Sequence, residues 1–125
     1  MMINIELLLD EYSKSVRIRQ SGEFIFVTPP FFHLQSDESI TLRFSQTEDG
    51  RPVISDCGTT KDYLDLMDID IEDYREKLNA IKERFYIEEV DGAFVTTLPT
   101  GSINYVKKHL GYFIQALSII ANIDL

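Results

Sequence analysis

The sequence has one cysteine, Cys57, among 125 residues, so no internal disulfide can staple the fold. Bases are scarce as well: 12 lysines and arginines stand against 21 acids, giving a formal net charge of −9. That imbalance disfavours direct binding to nucleic acid or to an anionic membrane, because both would repel the chain. Long apolar runs are missing. The longest, Leu110 to Ile123, is interrupted by Gln115 and Asn122 and falls short of the about 20 apolar residues a membrane span needs. No basic leader followed by an apolar core opens the chain, and with a lone cysteine the expectation is a cytoplasmic protein without a membrane role. Glycine-rich phosphate loops, His-Glu-x-x-His and Gly-x-Ser-x-Gly are absent. No lysine follows an acid by two residues, as the metal core of a small nuclease would require. The expectation is a protein that is not an enzyme and uses no metal or cofactor.

What is present is the composition of one ordinary folded domain spanning residues 1–125, with 44% hydrophobic and 26% charged residues. Ile5, Leu8, Leu9 and Tyr12 recur at helical spacing, which predicts an amphipathic helix over residues 4–15. Val16-Arg17-Ile18-Arg19 and Phe24-Ile25-Phe26-Val27 flank a Ser21-Gly22 turn signal and predict a hairpin, stopped by Pro29 and Pro30. A second hairpin is predicted from Ser39 to Ser45, where Ile40, Leu42 and Phe44 alternate with polar residues, through Glu48-Asp49-Gly50 into Pro52-Val53-Ile54. Thr59 or Thr60 can cap a short helix carrying Tyr63, Leu64 and Met67, with Asp62 completing a capping box. Asp70 starts another helix, with Ile71, Tyr74, Leu78, Ile81 and Phe85 as its apolar stripe. A third hairpin, Tyr86 to Val90 and Ala93 to Leu98, folds at Asp91-Gly92. From Ser102 onward, Val106, Leu110, Phe113, Ile114, Leu117 and Ile120 form the stripe of a long helix that is either deeply buried or shared with a partner. The order lacks the alternation of a doubly wound sheet. It predicts an α+β fold in which an antiparallel sheet of three hairpins, about six strands, packs against an N-terminal helix, two middle helices and a long C-terminal helix.

Several segments carry a likeness to known sequences. Val27-Thr28-Pro29-Pro30-Phe31 looks like a strand ending in Thr-Pro-Phe, and Ser39-Ile40-Thr41-Leu42 like the strand after it. Val53-Ile54-Ser55-Asp56-Cys57-Gly58 looks like a strand closing on Asp, one residue and Gly, with Leu64, Ile69, Arg75 and Gln115-Ala116 in matching places beyond it. Over roughly residues 16 to 122 the chain thereby resembles the family called domain of unknown function 1828, found in bacteria and phages. It departs from that family's commoner acidic pair by carrying Cys57 after Asp56. The resemblance implies fold context and a phage or mobile-element origin, and supplies little chemistry.

Three groups of residues are candidates for function. Asp56, Cys57 and Thr59 lie at the end of an apolar strand, where a small enzyme or ligand-binding domain could use them beside His33. The plainer reading, which is favoured, is a strand-to-helix turn in which Asp56 bonds local amides, Gly58 permits a tight φ, Thr59 caps the helix and Cys57 is packed. Likewise His109 reads as a partly exposed helix residue. The acidic run Asp62, Asp65, Asp68, Asp70, Glu72, Asp73 and Glu76 resembles a calcium loop only briefly, since the sixth position is Asp73 and the twelfth Asn79. Helix starts favour acids, which accounts for part of the run. The remainder could face a basic protein. Finally, Phe31, Phe32 and His33 sit in a proline-bounded connection where one ring could anchor a partner. The leading expectation is a non-enzymatic, acidic protein-binding protein of phage or mobile-element origin, such as an inhibitor of a defence or nucleic-acid-processing enzyme. A homodimer built on the last helix is a further alternative.

Overall fold

Turn chemistry divides the chain into the strands and helices that the computed structural model describes over residues 17–21, 24–28 and 41–125, the first two stretches as backbone alone. Strand β1 (Arg17–Ser21) pairs antiparallel with β2 (Phe24–Thr28), Arg17 opposite Thr28 and Ser21 opposite Phe24. Strand β3 (Leu42–Gln46) follows and turns back into β4 (Pro52–Ser55), with Phe44 opposite Ile54. At that turn Gly50 takes a φ of 86° and its N–H donates to the Thr47 carbonyl at 2.9 Å. Pro52 opens β4, a strand position that tolerates a missing N–H.

Beyond β4 come helix α1 (Thr59–Leu66), a 3₁₀ turn (Ile71–Tyr74), helix α2 (Arg75–Phe85), strands β5 (Glu88–Val90) and β6 (Ala93–Thr97), and helix α3 (Ile103–Ala121). The strand order is β1-β2-β3-β4-β6-β5, with every neighbouring pair antiparallel. Strands β3 to β6 have described side chains. On one face of β3, β4 and β6, Leu42, Phe44, Ile54 and Phe94 join one core with Leu64 of α1, Leu78 and Ile81 of α2, and the α3 stripe. The described residues form an α+β fold, an antiparallel sheet covered by three helices of which the last is long.

Helix α3 shows why periodicity alone locates it. Val106, Leu110, Phe113, Ile114, Leu117 and Ile120 recur at three- and four-residue intervals and are all buried. The width of the stripe is used inside the protein, because Ala116 and Ala121 are buried beside it. Lys77 of α2 donates to the carbonyls of Ile123 at 2.9 Å and Leu125 at 3.0 Å, tying α2 to the segment just past the end of α3.

Four sequence expectations need correction. Asp70 does not start an α-helix: its side chain accepts from Glu72 N–H, two residues on, and this tight cap opens the 3₁₀ turn. Tyr74 then sits at φ −121°, outside helical space, before α2 begins at Arg75. Tyr86 does not open a strand but closes α2 at φ 57°, and β5 starts at Glu88. Neither Thr59 nor Thr60 is the N-cap of α1, which is Gly58, and no side chain on that residue supplies a cap. The capping-box bond is replaced by Asp62 N–H donating to the Gly58 carbonyl. The expected helix over residues 4–15 lies outside the described residues, as do Ile40 and the Ser21-Gly22 turn beyond Ser21.

Candidate functional site

The Asp56 turn is built by the end of β4 and held by backbone. Cys57 and Gly58 both have positive φ, 58° and 83°, and Thr59 N–H donates back to the Asp56 carbonyl at 3.2 Å, as in a type I′ turn. Asp56 is fully buried. Its Oδ1 accepts from Gly58 N–H and from Phe94 N–H, each at 2.9 Å, and its Oδ2 accepts from Thr60 N–H at 3.3 Å. In return, Asp56 N–H donates to the Phe94 carbonyl at 3.1 Å. The local amides of the plainer sequence reading are therefore present, and a strand distant in sequence is joined to them. Thr59 Oγ1 donates to the Asp56 carbonyl at 2.8 Å. Cys57 is exposed, which corrects the expectation of a packed thiol: a left-handed residue at the turn apex directs its side chain away from the strand. A Cβ on Gly58 would come 3.4 Å from the Gly92 carbonyl, so this turn rests against the Asp91-Gly92 turn, whose φ values of 50° and 81° match its hairpin role. His33 lies outside the described residues, as do Phe31 and Phe32.

The acidic run is brought together in part. Asp62, Asp65 and Leu66 stand three and four residues apart on α1 and share its outer face, all three exposed. Asp68 follows at φ 59° in a Schellman-type finish, where its N–H donates to the Asp65 carbonyl and Ile69 N–H to the Leu64 carbonyl. Glu72, Asp73 and Glu76 are exposed at the starts of the next two turns. Among the described residues, only Glu72 of this run forms an ion pair, with Arg75, whose hydrogen bond holds the Glu72 carboxyl below its ordinary value. Leu66 is 81% exposed amid these acids.

A charge cluster that sequence reading missed lies on the other side of α1. Glu89 stands opposite Phe94 in the ladder and so points to the helix-covered face. Three cations from two helices converge on it: Lys61 at 3.3 Å, Arg75 at 2.5 Å and Lys82 at 2.8 Å. Burial pushes the Glu89 carboxyl up, but hydrogen bonds from Lys82, Arg75 and Lys61 outweigh it and bring the pKa down to about 2. The same bonds, from Glu72 and Glu89, hold the Arg75 guanidinium well above its usual range. This arrangement cross-braces α1, α2 and β5.

A cleft of about 290 Å³ lies between the end of α2 and the outer side of α3, lined by residues that include Arg84, Tyr86, Thr96, His109, Tyr112 and Gln115. Tyr105 stacks on His109 at 4.0 Å and 21°, and Tyr112 meets His109 edge-on at 5.6 Å. The three rings fall at positions i, i+4 and i+7 of α3 and form one row. Burial, and then the charge of Lys108, lower the His109 pKa from its ordinary value. His109 is half-buried, as its helical setting predicts. Sequence spacing reveals the ring row, but not that the end of α2 closes over it.

No family model, curated protein or solved structure matches the chain, so the likeness to domain of unknown function 1828 rests on the segments quoted for it. Among the described residues no group of three or more His, Cys, Asp or Glu is placed to hold a metal ion, and no helix is long and apolar enough to cross a membrane.

Proposed function

We propose that this chain is a non-enzymatic protein-binding domain that presents the acidic outer face of α1 and the turn after it to a basic partner protein. The observation that carries the reading is Leu66, a leucine 81% exposed on the same face as Asp62 and Asp65. A large apolar side chain bordered by charge has the layout of an apolar interface centre with a polar rim. The acids around it are available: among the described residues Asp62, Asp65, Asp68, Asp73 and Glu76 take part in no ion pair. A nucleic-acid-processing enzyme, whose substrate surface is basic, is the class of partner this charge suits. A binding reading also fits Asp56, the residue a catalytic reading would use, because both its oxygens are engaged by backbone amides.

The test is affinity capture from bacterial lysate, run in parallel with the wild type, Leu66→Ser and the double variant Asp62→Lys, Asp65→Lys. Each substitution is on the surface and should leave melting unchanged. A basic protein retained by the wild type and lost from both variants is the expected result. A retained set that neither variant alters would overturn the proposal.

A further inference from the structure

We infer that the cleft between α2 and α3 is a binding site for a small planar aromatic acid, an aryl carboxylate of one or two fused rings, with its ring among Tyr86, Tyr112 and His109 and its carboxylate on Arg84. The volume sets the size. At about 290 Å³ the cleft is at the small end of ligand sites, enough for a compact ring system. The walls set the shape. The Tyr105, His109 and Tyr112 rings are already packed against one another, so a flat guest meets a surface ordered in advance.

Charge sets the sign. In a chain with 21 acids, the described residues lining this cleft include the cation Arg84 and no carboxylate. Arg84 is exposed, lies 5.4 Å from the Phe85 ring and forms no ion pair among the described residues, which leaves its planar fork for a carboxylate. Lys108 is outside the lining, with its Nζ 5.9 Å from the Tyr112 ring. The lowered pKa of His109 keeps the imidazole neutral near pH 7, suited to stacking.

Tyr86 supplies an independent argument. It finishes α2 in the left-handed region, φ 57° and ψ 47°, where Ile87 N–H donates back to the Lys82 carbonyl as in a Schellman ending. Glycine is the usual residue there, and a side chain costs stability. This one gives little back to the core, since Tyr86 is 78% exposed. Thr96 Oγ1 donates to the Tyr86 carbonyl at 3.0 Å and fixes the backbone at the cleft edge. A tyrosine that strains its helix end and contributes little packing has its use in what it contacts from outside.

Amide NMR titration with 2-naphthoate, 2-naphthamide and cyclohexanecarboxylate tests this, and its outcome is separate from that of the α1 face. Naphthoate should give saturable shifts at Tyr86, Thr96 and Tyr112, with the neutral amide and the aliphatic acid each at least about tenfold weaker. Arg84→Gln should weaken naphthoate about tenfold or more. Tyr86→Gly should weaken it while melting no lower than the wild type, separating loss of a contact from loss of fold. Absent or unsaturable shifts, equal binding of the aliphatic acid, or indifference to both variants would overturn the inference. So would concentration-dependent shifts of the same amides without ligand, which would mean that a second copy fills the cleft.

Discussion

Replacing Asp56 offers the sharpest measure of what holds the two halves of the sheet together. Its oxygens take three N–H groups, two on Oδ1 and one on Oδ2. Asp56→Asn keeps one acceptor oxygen, enough for Gly58 and Phe94, and turns an NH₂ toward the Thr60 N–H. One bond is lost and two donors face each other in a buried place, a cost of about 1–3 kcal/mol. Asp56→Ala strands all three donors. At about 1–3 kcal/mol each, with partial relief from relaxation and water, the loss is about 3–6 kcal/mol. Against a total of about 5–15 kcal/mol for a domain, the alanine variant should be at or near unfolding, while the asparagine variant folds and can be measured. Urea denaturation followed by far-ultraviolet circular dichroism is the assay. With a slope of about 2 kcal/mol/M, the asparagine midpoint should fall by about 0.5–1.5 M. Hydrogen exchange at Phe94 and Thr60 should accelerate together in that variant. Wild-type midpoints in both variants would refute the claim that this carboxyl group clamps β4 to β6.

Two further outcomes follow from the charges and the turn. The folded pKa of Glu89 is below its ordinary value of 4.5, near 2, so its stabilisation is present above about pH 4.5 and lost as pH falls through that value toward 2. The full shift would be worth about 3 kcal/mol, and solvent screening leaves about 1–2 kcal/mol. Glu89→Gln should therefore lower stability at pH 7 and flatten the acid limb of a stability-versus-pH curve; a limb as steep as the wild type's would count against the cluster. Cys57 is exposed at its turn apex, so a thiol reagent should label the native protein to full stoichiometry without denaturant, and labelling only after unfolding would show the turn to be closed.

Local chemistry made some of this legible and long-range packing hid the rest. Asp91-Gly92 announces its hairpin because those residues accept positive φ, and the structure gives 50° and 81°. The α3 stripe is equally readable, since every member sits at helical spacing. Asp56 was legible only in half: its role at the turn is local, but its partner Phe94 lies 38 residues away. A threonine before a helix is the usual cap signal, which points to Thr59, whereas here a buried aspartate three residues earlier takes the Gly58 and Thr60 amides. Glu89 looks in sequence like any strand acid. Only the packing of α1 and α2 brings Lys61, Arg75 and Lys82 around it. The cleft is hidden for the same reason, because Arg84 and Tyr86 meet His109 and Tyr112 only when α2 ends against α3.

Strand β5 has a consequence for how the protein lives in a crowded solution. It forms one end of the sheet, has three residues, and carries Glu88 and Glu89 on opposite faces. An outermost strand exposes unpaired backbone, and a long, flat, apolar one recruits strands from other molecules. This one is too short to template a neighbour, and an incoming strand would have to bring its backbone alongside Glu88 while the other glutamate is held under the helices. The sheet therefore has a finished border at β5, one that resists growth into aggregates without any residue set aside for that purpose alone.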